Sequence, residues 1–141
     1  MSAKEDEAAV LEANLAFYRA LQERAIKEME RVWDHDGEIS CVHPGWHRLD
    51  GWSEVRRSWQ NIFANARAWR VSCERVRVSV RGDLAWVVCL EVIRPDAAIE
   101  AEAARMQATN VFRRTEEGWR MVHHHASPSA EDPPAAAEPV N

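Results

Sequence analysis

The apolar positions change period twice along this chain. Across residues 4–22, Leu11, Leu15 and Tyr18 fall at i, i+4 and i+7, and Val10, Phe17 and Leu21 widen the stripe, which predicts an amphipathic helix. A second, shorter helix is predicted from Ala25 to Trp33, with Ile26, Met29, Val32 and Trp33 on one side, and Asp34-His35-Asp36-Gly37 breaks it. Glu38 to His43 reads as a strand stopped by Pro44-Gly45. Trp46 to Leu49 reads as its short return partner, closed by Asp50-Gly51. Ser53 is a candidate N-cap for a third helix whose stripe is Val55, Trp59, Ile62 and Phe63.

From Ala68 onward the period is two. Strands are predicted over 69–80, 84–93, 102–114 and 118–126, with hairpin turns at Arg81-Gly82-Asp83 and Thr115-Glu116-Glu117-Gly118. In the first of these strands Trp69, Val71 and Cys73 share one parity and Val76, Val78 and Val80 the other, so a β-bulge is expected near Glu74-Arg75. The order is three helices and a short hairpin, then a long antiparallel meander. That is an α+β design: three N-terminal helices on one face of a strongly curved antiparallel sheet, a cone-shaped barrel whose open end suits a small molecule. One domain is expected over 1–126. Residues 127–141 are Pro, Ala and acid, and are expected to form a disordered tail for want of apolar anchors.

Charge narrows the partners. The formal net charge is −5. The acids near the N-terminus and in the tail account for it, leaving the body balanced, which argues against nucleic acid and anionic membranes. Cys41, Cys73 and Cys89 are odd in number and sit in apolar strand-like runs. They read as free thiols in a reducing compartment, and with no membrane-spanning run and an acidic N-terminus the expected location is cytoplasmic.

The chemistry concentrates in the last strand, Gly118-Trp119-Arg120-Met121-Val122-His123-His124-His125-Ala126. Strict alternation puts Trp119, Met121, His123 and His125 on one face and Arg120, Val122 and His124 on the other. Pairing back from a two-residue turn at Glu116-Glu117 sets Phe112 opposite Met121 and Asn110 opposite His123. One face would then carry Asn110, Phe112, Met121, His123 and His125, with Glu91 joining at the rim through the Ala85, Val87, Cys89, Glu91 parity; a one-residue slip would reverse this. His43 before Pro44 is a candidate general base, and Trp46 a candidate lining group at the pocket mouth. His123-x-His125 and the His43/His47 pair invite a metal reading. Zinc needs three or four ligands at fixed geometry, and no such motif is present, so no metal and no cofactor are expected.

In element order, in Ser40-Cys41-Val42-His43-Pro44, in Asp50-Gly51 before helix three, and in Asn110-Val111-Phe112-Arg113-Arg114 leading to Gly118-Trp119-Arg120-Met121-Val122-His123, the chain over residues 8–127 resembles the SnoaL-like, or nuclear transport factor 2-like, superfamily. This group includes ketosteroid isomerase, scytalone dehydratase, limonene epoxide hydrolase, polyketide cyclases and the kinase hub domain. The resemblance implies an α+β barrel that works without metal. It places His43 where the isomerase has its proton-shuttling aspartate before a proline, and Asn110 where the isomerase has its oxyanion donor. Phe17 matches the isomerase's helix-one tyrosine, with Tyr18 one step round, a departure that weighs against steroid-type enolisation.

Two functions stay open. One is cofactor-free acid/base chemistry (isomerisation, dehydration or cyclisation) on a small, partly apolar carbonyl compound, with His43 as base, Asn110 as oxyanion donor and His123 as second acid/base group. Trp46, Glu91, Phe112, Met121, His125, Phe17 and Tyr18 would bind the ligand. The other is a non-catalytic, dimeric ligand-binding module. In both, Val111 and Val122 on the outer face predict a homodimer through the sheet.

Overall fold

A computed structural model describes residues 2–96 and 103–130. Helix α1 spans Ala3–Glu23 and begins with a capping box in which Ser2 and Glu5 satisfy each other's backbone amides. Helix α2 is Ile26–Val32 and α3 is Trp52–Asn65. The strands are β1 (Ser40–Val42), β2 (Leu49–Asp50), β3 (Trp69–Arg81), β4 (Leu84–Pro95), β5 (Ala104–Thr115) and β6 (Gly118–Pro128). They form one curved sheet in the order β2-β1-β6-β5-β4-β3. The sheet is antiparallel except where β1 runs parallel to β6.

The predicted elements are present, with shifts at their edges. The buried stripe of α1 is Val10, Asn14, Phe17 and Leu21, flanked by Tyr18, whereas Leu15 points outward and is 47% exposed. The helix is rotated from the expected leucine-centred stripe because Asn14 takes an inner position and bonds there. Ser53 does not cap α3. The N-cap is Gly51, at φ 85°, with no side-chain cap bond, because the turn after Asp50 needs a left-handed residue. The return strand after Pro44-Gly45 shrinks to Leu49–Asp50, paired with Ser40 and Cys41. The expected domain boundary also moves. Ser127 and Pro128 belong to β6, and Ser129 N–H donates to Arg105 O, so the strand consumes the start of the expected tail. Residues 131–141 of that tail, and residue 102 where β5 was expected to begin, lie outside the described residues.

Two bulges bend the sheet. The first is the expected one. Arg75 has φ 54° and the β3–β4 register slips between Glu74 and Arg77, so the two β3 residues Arg75 and Val76 face the single β4 residue Cys89. The second lies in β6, where Phe112 pairs with Met121 but Val111 pairs with His123, leaving Val122 as the extra residue. At this point β6 changes its edge partner: Met121 bridges Trp33 and accepts from Asp34 N–H, while His123 pairs with Ser40 of β1.

The core lies between the three helices and the inner face of the sheet. Phe17, Met29, Trp33, Val55, Trp59, Val87, Phe112 and Met121 fill it, all at most 2% exposed. Two charged struts pin its rim. Arg114 bonds both carboxylate oxygens of Asp6, at 2.8 and 2.9 Å, tying β5 to the start of α1, and Arg113 donates to Asp34 after α2.

Candidate functional site

The β6 bulge decides which histidine faces inward. Alternation from Trp119 and Met121 placed His123 and His125 inside. The extra residue Val122 reverses the parity, so Asn110 lies opposite His124 and not His123. His124 is buried, and His125 is exposed on the outer face. His123 is half-buried on that same outer side, its Nδ1 2.7 Å from Ser40 Oγ. Neither His123 nor His125 joins Asn110, Phe112 and Met121, which share the inner face as expected. The expected constellation therefore survives with one exchange, His124 for His123, and without His125.

Inside, a polar cluster is sealed in the apolar core. Asn110 is 0% exposed, His124 2%, Glu91 3%, His43 3% and Tyr18 4%. Asn110 Nδ2 donates to Asn14 Oδ1 at 2.9 Å and to Tyr18 OH at 3.1 Å, so its Oδ1 faces His124 Nδ1 at 2.6 Å. That contact requires the Nδ1–H tautomer of a neutral imidazole, and leaves the Nε2 lone pair directed at Glu91. Tyr18 O–H donates to Glu91 Oε2 at 2.7 Å, and Glu91 Oε2 is 3.8 Å from His124 Nε2. Glu91 was expected at the rim; its parity partners Ala85, Val87 and Cys89 are all buried, and the carboxyl sits with them in the interior. Of the helix-one pair, Phe17 packs its ring 4.8 Å from His124 and Tyr18 brings the hydroxyl.

Burial sets the charge states. It raises the Glu91 carboxyl from 4.5 to about 7, the Tyr18 hydrogen bond pulling the other way. Burial also drives His124 well below the usual imidazole range, with the other histidines adding to the shift. An ion pair at 3.8 Å is thus disfavoured. The better description near neutrality is an uncharged imidazole beside a carboxyl that exchanges its proton.

His43 forms a second focus. It ends β1 before Pro44, and its Nε2–H donates to Ser58 Oγ at 2.8 Å, because the Ser58 hydroxyl itself donates to Val55 O at 2.6 Å. Nδ1 therefore keeps its lone pair. Desolvation lowers this imidazole to about 4. Its ring stands edge-on to Trp59 at 4.6 Å and to Trp46 at 4.8 Å, and Trp59 lies 6.0 Å from His124. Trp46 is 42% exposed, and it covers His43. Elsewhere, a charged cleft of about 880 Å³ beside α2 shares no residue with this cluster, and its Asp34 and Glu30 are matched by Arg113 and Arg56. Among the described residues no three His, Cys, Asp or Glu side chains are grouped to hold a metal ion, and no helix is long and apolar enough to cross a membrane.

Sequence reasoning did not pick out Asn14, Ser58 or His124. Asn14 and Ser58 carry a readable signal, since each is a polar residue inside an apolar helical stripe. His124 carries none.

A helical layer over a bulged, curved sheet with a buried polar cluster defines a class of cone-shaped α+β proteins, and the relatives agree. Residues 10–131 match the SnoaL-like domain, and the chain belongs to that family. It is similar to a candidate dehydratase of the NTF2-like family from Streptomyces avermitilis, at 37% identity and TM-score 0.84 over 92% of this chain and 100% of that one. It is also similar to a candidate calcium/calmodulin-dependent protein kinase type II association domain from Thiobacillus denitrificans, at 34% identity and TM-score 0.76 over 84% and 93%. The F-box protein SKIP8 of Arabidopsis thaliana is 29% identical over 119 residues, 84% of this chain and 49% of that protein, so the chain spans about half the length of this curated relative.

Proposed function

We propose that this protein is a cofactor-free acid/base enzyme of the isomerase, dehydratase or cyclase kind, acting inside the cone on a small, partly apolar carbonyl compound. The observation that carries this reading is the buried Asn110–His124–Glu91–Tyr18 cluster. A core built only for stability gains nothing from a carboxyl held near 7 among apolar groups, whereas a proton-transfer site needs one.

The roles follow from which atoms carry protons. His43 Nδ1 and His124 Nε2 present lone pairs, and either can take a proton from the carbon next to the substrate carbonyl. Glu91 in its protonated form and the Tyr18 hydroxyl present O–H groups. They deliver a proton to a leaving hydroxyl or to the new carbon position. Asn110 Nδ2, whose two protons rest on Asn14 and Tyr18, turns one of them to the developing oxyanion when the ligand enters the cluster, without carrying charge. Trp46 over His43 is the side chain that must move to admit the ligand. The name of the Streptomyces avermitilis relative supports elimination of water as the first reaction to try.

A specific observation favours a second reading, a dimeric binding module without chemistry. The cluster's groups satisfy one another, and the outer sheet face leaves Leu84 and Trp86 exposed. The Thiobacillus denitrificans relative supports it. The discriminating experiment offers small β-hydroxy and β,γ-unsaturated carbonyl compounds to the protein in deuterium oxide and follows their proton spectra. Solvent deuterium entering a compound, with a bell-shaped pH–rate profile that has a near-neutral limb, supports the enzyme. Thermal stabilisation by a compound without exchange supports the module.

A further inference from the structure

The pair His123-x-His125 takes no part in the inner cluster, and the fold gives it a place of its own. Both residues lie beyond the β6 bulge, so their two-residue spacing is unbroken and both side chains stand on the outer face of the sheet. There they line a depression of about 500 Å³ with Gln107, Thr109 and Ser127. Thr109 pairs directly with His125, and Gln107 with Ser127, so oxygen-bearing side chains stand beside the rings.

The ring geometry suits one shared ion. A metal binds imidazole nitrogen at about 2 Å, and that nitrogen lies roughly 1 Å from its ring centre, so two rings on one ion have centres about 4.5 to 6.5 Å apart between cis and trans placement. The His123 and His125 ring centres are 6.0 Å apart. His123 is half-buried and anchored, its Nδ1 2.7 Å from Ser40 Oγ on the neighbouring strand β1. With Ser40 accepting from Nδ1–H, Nε2 keeps its lone pair, which is how metal-binding histidines are usually oriented. His125 is exposed and can turn its ring toward the ion. Arg48, whose charge acts on His123, is tied to Asp50 at 2.8 and 3.3 Å.

We propose that His123 and His125 bind one late first-row transition-metal ion, copper(II) or nickel(II), on the outer face of the sheet. The two rings supply nitrogen, and Thr109 or Gln107 and solvent water supply oxygen. Such a donor set suits these ions, which favour tetragonal nitrogen and oxygen surroundings, and not magnesium or calcium, which take oxygen alone. A closed zinc site needs further protein ligands, and among the described residues no third His, Cys, Asp or Glu is grouped with the pair. The site lies across the sheet from Asn110 and His124, so it stands whether or not the inner cluster is catalytic.

Nickel(II) is the probe, because copper(II) oxidises thiols and the chain has three cysteines. Calorimetric titration of the full, untagged, metal-free chain should show one nickel(II) bound per chain at micromolar concentration, and magnesium should not bind. His125→Ala changes an exposed side chain, so it should keep the melting temperature while lowering the affinity at least about tenfold, because the chelate is lost. Ser40→Ala should lower it about tenfold by loosening the His123 ring. The double variant His35→Ala/His47→Ala, which removes the other exposed histidines, should bind like the wild type. Absence of saturable nickel(II) binding, an unchanged affinity in His125→Ala, or loss of binding in the double variant would overturn the proposal. So would one ion per two chains, which would assign the ion to a site completed by a second copy.

Discussion

Replacing Glu91 by Gln turns the buried carboxyl into a stability measurement. The folded chain raises this carboxyl from 4.5 to about 7, chiefly by burial. A raised carboxyl stabilises the fold relative to its ionised form, so its contribution is complete below 4.5. It is lost as pH rises from 4.5 through 7. At about 1.36 kcal/mol per pKa unit the loss is on the order of 3 kcal/mol. Gln has nearly the shape of the protonated acid. Its amide oxygen can accept from Tyr18 O–H, and its amide nitrogen can donate to His124 Nε2. The variant is therefore expected to match the wild type in acid and to exceed it by roughly 3 kcal/mol at pH 8. The assay is urea unfolding of both chains at several pH values between 4.5 and 8, with the slope m checked for constancy. The titrations of His43 and His124 occur in both chains and cancel in the difference. A difference that stays flat with pH, or a variant less stable than the wild type at pH 8, would refute the reasoning.

Other outcomes follow from the same geometry. His124→Ala removes a buried ring and strands Asn110 Oδ1, so it should cost about 2–4 kcal/mol by chemical denaturation, whereas His123→Ala, which loses a half-buried ring and the Ser40 bond, should cost about 1 kcal/mol or less. His43 is held at about 4 in the fold, below its ordinary 6.5, so its contribution is present above 6.5 and lost as pH falls toward 4; His43→Gln should flatten the acid limb of the stability curve, read by thermal melts. Sedimentation at micromolar concentration should give a dimer, and charging the outer face with Trp86→Glu should give monomer; a wild type that sediments only as monomer would exclude the sheet interface.

The difference between the two bulges explains what could be read in the sequence. In β3 the flanking residues alternate clearly, so the switch from Trp69, Val71 and Cys73 to Val76, Val78 and Val80 betrays the extra residue. In β6 the bulge sits beside three identical side chains. His123-His124-His125 has no alternation to break, and nothing in the sequence marks Val122 as the residue without a partner. The switch of edge partner from Trp33 to Ser40, which accompanies the bulge, is a tertiary event between distant segments. Asn110 was placed on the inner face because Phe112 fixes its parity on the near side of the slip. Glu91 followed from its strand parity, but its depth depends on α1 covering β4, which period two does not encode. The α1 stripe departs from the leucine pattern for a related reason. Leucines carried the pattern, and the buried Asn14 is held there by Asn110 and Cys73, partners about a hundred or sixty residues away in sequence.

The measurement that bears most directly on the acid/base reading compares three chains on one substrate. Solvent deuterium exchange, with the carbonyl compound that the wild type turns over fastest, should proceed in the wild type and in His123→Gln at similar rates. In His124→Gln it should slow by about a hundredfold or more, the loss expected for removing a positioned proton-transfer group. Full activity in His124→Gln, or loss in His123→Gln alone, would contradict the account.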